Sequence, residues 1–172
     1  MTKRRLLRQL GRPTRNGRAF TLIEIAIVIV VLAILAAVVV PIAMSASSVQ
    51  VVGAGRMVAS DLQYAQTHAI STQSPVAVVF DPASESYQLS NASGGLIHPI
   101  TNSSYFVDFS GDGRFAEVDI VSADFDGLTS VTFDELGAPD AGGSVQLQAG
   151  PDALSVDVAN ATGKITVVKT GS

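Results

Sequence analysis

Cysteine is absent from the 172 residues. No disulfide framework, thiol nucleophile, cysteine metal site or cysteine-linked lipid anchor is therefore available, and the fold must rely on its apolar core or on neighbouring subunits. Histidine is almost as scarce. His68 and His98 are the only two, and neither sits in a catalytic or metal-ligand spacing. No Ser-His-Asp constellation, phosphate loop or redox motif stands out, so neither an enzyme nor a cofactor is expected. Positive charge is also missing from most of the chain. After residue 19 only Arg56, Arg114, Lys164 and Lys169 face all fifteen acids. Phosphate binding needs clustered cations, so nucleic acid is not an expected partner.

The missing positive charge is concentrated at the start. Lys3, Arg4, Arg5, Arg8, Arg12, Arg15 and Arg18 occupy residues 1–19 without a single acid. From Ile25 to Met44 no charge occurs in twenty residues. As a helix rising ~1.5 Å per residue, that run covers roughly 30 Å, the thickness of a bilayer's hydrocarbon core. It has no polar stripe and exceeds the usual apolar core of a signal peptide, about 7–15 residues. The expected topology is single-pass in the inner membrane, with a cytoplasmic basic end and an extracytoplasmic C-terminal body. The rival reading is a secreted β-rich protein whose signal peptide is cut near Ser45–Ser47. Glu24 stands at the mouth of the run, where an unpaired carboxylate costs a few kcal/mol and asks for a partner. Pro41 removes one backbone donor and is expected to kink the helix.

The stretch Arg18-Ala19-Phe20-Thr21-Leu22-Ile23-Glu24, followed by an apolar helix with Pro41, resembles the leader of type IV pilins and type II secretion pseudopilins. The resemblance implies cleavage by a prepilin peptidase between Ala19 and Phe20, then methylation of the new amine. It implies assembly roles for Phe20, Glu24 and Pro41, with Glu24 fifth after the cut and paired to a neighbouring subunit's amine. One residue departs from the pattern, because Ala19 stands where the family usually has glycine. A cut after Gly17 would displace Glu24 from fifth place.

Beyond Met44 the residues turn small and polar, then helical periodicity resumes. Val51, Val58, Leu62, Ala65 and Ala69 share one face, with Gln50, Asp61, Gln63 and Gln66 assigned to others. Gly53 and Gly55 weaken the helix locally. One helix is expected over roughly 20–71, ended by Ser74-Pro75. Strands follow at Val76–Phe80 and Tyr87–Ser90, flanking an Asp81–Ser84 turn. Others are expected at Tyr105–Phe109, Ala116–Val121, Ser130–Phe133, Val145–Gln148, Leu154–Val158 and Lys164–Lys169, the last two joined by the Asn160–Gly163 turn. Residues 91–104 read as a mobile loop. The fold class is α+β, a long N-terminal transmembrane helix packed on an antiparallel sheet or sandwich. The parts are a cleaved leader (1–19), a transmembrane and assembly helix (20–44), its amphipathic continuation (45–71) and a β-rich globular domain (72–172).

The arrangement is similar to the GspH/FimT-like pseudopilins and minor pilins. Helix residues Ala59–Ile70, the Val76–Phe80 strand, Val131–Pro139, Gly142–Val145 and Thr162–Ile165 carry the likeness. It implies a structural subunit of a secretion pseudopilus or type IV-like filament. Its partners would be prepilin peptidase, other subunits and inner-membrane lipid. A DNA-binding competence pilin is the alternative that the resemblance also allows. Asp108, Ser110, Asp112 and Asp119 partly match a calcium loop, although Asp119 replaces the usual bidentate Glu and flanking helices are lacking. An Asp/Gly turn between strands explains them more simply.

Overall fold

The computed structural model describes residues 21–171, with the side chains of 38–46 left aside. The chain divides into two compact units between Val39 and Val40. Helix α1, Leu22–Thr72, contributes to both. In the first unit every described side chain from Leu22 to Ala37 is exposed.

In the second unit α1 presents a stripe of small and branched residues. Val51, Ala54, Val58, Leu62, Ala65 and Ala69 are all buried, at the spacing that keeps one helical face inward. Burying each of the larger side chains contributes about 1.5–3 kcal/mol. Gly55 is the point of closest approach. A Cβ there would collide with the Leu154 side chain, so the helix tolerates a poor helix former to let a strand in.

Antiparallel strands follow in two sheets. β1 is Val76–Asp81 and β2 Ser86–Asn91, joined through a single 3-10 turn at Pro82–Ser84. Asp81 caps that turn by accepting from the Ala83 N–H. β3 is the pair Gly94–Gly95, β4 Phe106–Asp108, β5 Asp119–Asp124 and β6 Ser130–Phe133. β7 is Gly143–Ala149, β8 Asp152–Val158 and β9 Ile165–Lys169. The first sheet runs β3-β2-β1-β6, with β4 also on β2, and the second runs β5-β7-β8-β9. Alternation places Val76, Val78, Phe80, Val145, Leu147, Leu154 and Val156 in one core with the helical stripe.

Three expectations need correction. The strand placed at Ala116–Val121 begins only at Asp119. Glu117 instead turns toward the helix, where its carboxylate accepts from the Ser47 hydroxyl (3.1 Å) and its N–H donates to Gln50. Residues 91–104 are not a bare loop. Leu96 N–H donates to Leu89, His98 N–H to Ser103, and Tyr105 N–H to Leu96, so the excursion folds back as a small ladder. Asp61, assigned to a polar face, is buried.

Candidate functional site

At the N-terminal end of α1, Thr21 accepts the Glu24 N–H on both its hydroxyl (3.2 Å) and its carbonyl (3.1 Å). Thr21 is therefore the helix cap and Glu24 the third helical residue, the two ends of a capping-box spacing. An acidic side chain there also faces the positive end of the helix dipole. Glu24 is exposed, and its carboxylate has no partner among the described residues. Ala19 and Phe20 lie outside the described residues. The backbone at Pro41 is helical, and its side chain lies outside them.

Within the second unit the polar chemistry gathers around Asp61. Tyr87 Oη donates to one carboxylate oxygen at 2.5 Å and Tyr105 Oη to the other at 3.0 Å. Tyr87 arrives on β2, and Tyr105 closes the 92–105 excursion. The aromatic rings extend outward from there. Tyr105 packs on Tyr64 at 5.3 Å and on His98 at 4.6 Å, and Tyr64 stacks on His68 at 5.5 Å. All three tyrosines and both histidines of the chain thus meet around one carboxylate. His98 Nδ1 accepts from the N–H groups of Ile100 and Thr101, so it holds the excursion's tip.

Burial pushes the Asp61 carboxyl above its ordinary value of 3.8, and the two phenol donors and His98 pull partly back. Burial and the neighbouring carboxylate raise Tyr87 and Tyr105 in turn. Both phenols therefore stay protonated as donors. The cluster clasps helix, strand and excursion together. Sequence reading missed it, although the stripe spacing 51-54-58-61-65 passes through Asp61.

A second tie lies toward the end of the helix. Gln66 Nε2 donates to the Gly137 carbonyl at 2.7 Å and reaches the Thr162 carbonyl at 3.5 Å. Gly137 (φ +82°) and Gly163 (φ +61°) hold left-handed turns there, and a Cβ on Gly137 would sit 2.7 Å from Ile70 Cδ1. Two distant turns thus close onto one helical amide.

Known proteins sharpen the picture. The family described as Type II transport protein GspH matches residues 54–163, and the prokaryotic N-terminal methylation motif matches residues 14–40. The chain belongs to the GspH family. Among solved structures it is similar to the type IV minor pilin FimU of Pseudomonas aeruginosa PAO1. That similarity has 16% identity and a TM-score of 0.48, and it covers 69% of this chain and 87% of that one. It is also similar to the minor pseudopilin EpsH from the Type 2 Secretion System of Vibrio cholerae. There the identity is 8% and the TM-score 0.45, over 71% of this chain and 97% of that one. No curated protein matches the sequence.

The GspH match takes in Asp61, Tyr87, Tyr105, Gly137 and Gly163, and the methylation motif takes in Ala19, Phe20 and Glu24. No helix among the described residues is long and apolar enough to cross a membrane, the described side chains of the apolar run ending at Ala37.

The calcium candidates do not converge. Asp108 closes its own turn, accepting from Ser110 Oγ (2.6 Å) and Gly111 N–H (3.1 Å), and these bonds hold its carboxyl below the usual range. Asp112 is taken by the Arg114 guanidinium at 2.6 Å, which lowers it likewise. Asp119 is the first residue of β5 and is exposed. Among the described residues no group of three or more acidic or histidine side chains could hold a metal ion. The Asp124–Gly127 segment is a hairpin turn. Asp126 and Gly127 are both left-handed, and the Asp124 carboxylate accepts the Gly127 N–H.

Proposed function

We propose that this GspH-family protein is a minor pseudopilin or minor pilin, a subunit without chemistry of its own that is built into a type II secretion pseudopilus or related type IV filament. One observation carries the reading: a methylation motif on residues 14–40 stands directly ahead of a GspH domain on residues 54–163. The parts then have consecutive tasks. The basic leader keeps the N-terminus in the cytoplasm. Prepilin peptidase cuts between Ala19 and Phe20. Residues 20–44 hold the subunit in the inner membrane, and the β-rich body stands outside the cytoplasm.

Cleavage exposes an amine in an apolar setting. Thr21 holds the Glu24 main-chain N–H, and the Glu24 carboxylate, unpartnered among the described residues, is available to a neighbouring subunit's amine. Two opposite charges gain by pairing where water is excluded. That pairing would set the axial register of an incoming subunit. Terminal sequencing and intact mass of the mature protein test the reading. The expected result is a chain beginning at Phe20 with one added methyl group. A chain beginning at Ser45–Ser47 would overturn it.

A further inference from the structure

The edges of the two sheets are not finished alike. On β6, the Thr132 N–H donates to the Asp140 carboxylate at 2.8 Å, and Thr132 receives the Asp140 N–H at 2.9 Å. On β5, the Ile120 N–H is taken by the Glu85 carboxylate. An acidic side chain thus takes an outward N–H on each of these strands. β9 has no such cover.

Its geometry can be read from its ends. Ala159 N–H donates to Lys164 C=O at 3.0 Å, and Thr170 N–H donates to Ala153 C=O at 2.9 Å. With Ser155 opposite Val168, this fixes the parity of the ladder. Residues 164, 166, 168 and 170 turn their main-chain groups to β8, so Ile165, Val167 and Lys169 turn theirs outward. Among the described residues nothing takes them. Val167 is 39% exposed and its neighbour Val168 43%, so both faces of the strand are open as well.

Charge selects the occupant. Lys164 and Lys169 are the only lysines after the leader, and they bracket this edge on a body with fourteen acids after Met44. Lys169 is steadied by Asp152 at 3.2 Å, whereas Lys164 has no ion pair among the described residues. Antiparallel pairing of β9 with its own copy opposes outward residues only to outward residues, so a second copy would bring two more lysines and no carboxylate to this edge. An extended apolar segment with a carboxylate at each end meets both lysines and completes the row.

We propose that the outer edge of β9 is a docking site for such an acid-ended segment, added as a fifth strand to the second sheet. Calling its owner a neighbouring filament subunit rests on the proposed function. The docking itself does not.

The test uses the full chain in detergent and two six-residue probes, Asp-Ile-Thr-Val-Val-Asp and its lysine-ended counterpart. The acid-ended peptide should bind at least ~10-fold tighter, with binding weakened by salt. It should slow amide exchange at Ile165, Val167 and Lys169 while leaving Thr166 and Val168, already bonded to β8, unchanged. Val167→Pro removes the central outward donor without touching the β8 ladder and should abolish binding in a chain that still folds. Lys164→Glu should shift preference toward the lysine-ended peptide. Equal binding of both peptides, no binding, or protection confined to other strands would overturn the site. So would β9-to-β9 cross-links between Val167→Cys chains, which would show self-pairing instead. A chain that enters filaments but ignores both peptides refutes the docking site alone. One that binds the acid-ended peptide yet never enters a filament refutes the proposed function alone.

Discussion

Replacing Asp61 by alanine probes the clasp between α1 and the first sheet. The carboxylate is the acceptor for two tyrosine hydroxyls, and both tyrosines are buried. Each buried hydroxyl left without a partner costs ~1–3 kcal/mol. Loss of a desolvated carboxylate offsets part of that, leaving a net destabilisation of about 2–4 kcal/mol. Against a total stability of roughly 5–15 kcal/mol this is large, and it corresponds to a fall in Tm of about 10 °C. The chain has no tryptophan, and its three tyrosines all belong to this cluster, so intrinsic fluorescence reports the site directly. Denaturant unfolding followed at tyrosine emission gives the number. Tyr87→Phe combined with Asp61→Ala should be non-additive by at least ~0.5 kcal/mol, as expected when two mutations remove one bond.

The pH dependence has a definite sign. The native state holds the Asp61 proton more tightly than the unfolded chain, so the Asp61 contribution to stability rises as pH falls from its raised value toward 3.8. Asp108 and Asp112 are lowered and lose their contribution only below that window. Asp61→Asn should remove the first component and leave the second. A variant Asp61→Ala within ~0.5 kcal/mol of the parent, or strict additivity with Tyr87→Phe, would refute the clasp.

Other outcomes follow from the same structure. Glu24→Ala should leave the subunit in the membrane and block its entry into filaments, with Glu24→Asp intermediate. The ratio of filament-associated to membrane-resident protein measures this, and normal assembly of Glu24→Ala would reduce Glu24 to a helix-capping acid. Gly137→Ala should cost ~1–3 kcal/mol more than Gly127→Ala, since both have positive φ but only Gly137 lies against Ile70. Comparing the two melting curves checks that difference. The fragment from Ser48 to Ser172 should be soluble and cooperative on its own, because all the charged residues after Glu24 lie in it. Persistent absence of a melting transition in every buffer would show that the preceding helix completes the core.

The parts of the fold legible in sequence are those with local causes. The inward face Val51, Val58, Leu62, Ala65 and Ala69 follows from helical spacing alone. The β1–β2 hairpin follows from Asp81-Pro82 between alternating runs. What escaped depends on contacts distant in sequence. Asp61 looks like a surface residue until Tyr87 and Tyr105 arrive, 26 and 44 residues later. Its place on the apolar stripe was the available signal, because an acid at an inward position demands buried donors. Glu117 was read into a strand because its neighbours are strand formers, yet its bonds to Ser47 and Gln50 turn it to the helix. The capping role of Thr21 for Glu24 was legible from their spacing, and the assembly motif overshadowed it.

The contact between Gly55 and Leu154 also sets a schedule. A ribosome delivers α1 early and β8 almost last. Until β7 and β8 arrive, the stripe from Val51 to Ala69 lacks half its cover, since Val145, Leu147, Leu154 and Val156 belong to the same core. Closing so long a chain segment is slow, and an uncovered apolar stripe invites proteolysis and mispairing meanwhile. The body must therefore emerge whole before it can become resistant. A chain truncated after the Asp124–Gly127 turn should behave as a degradation substrate, however complete its first hairpin.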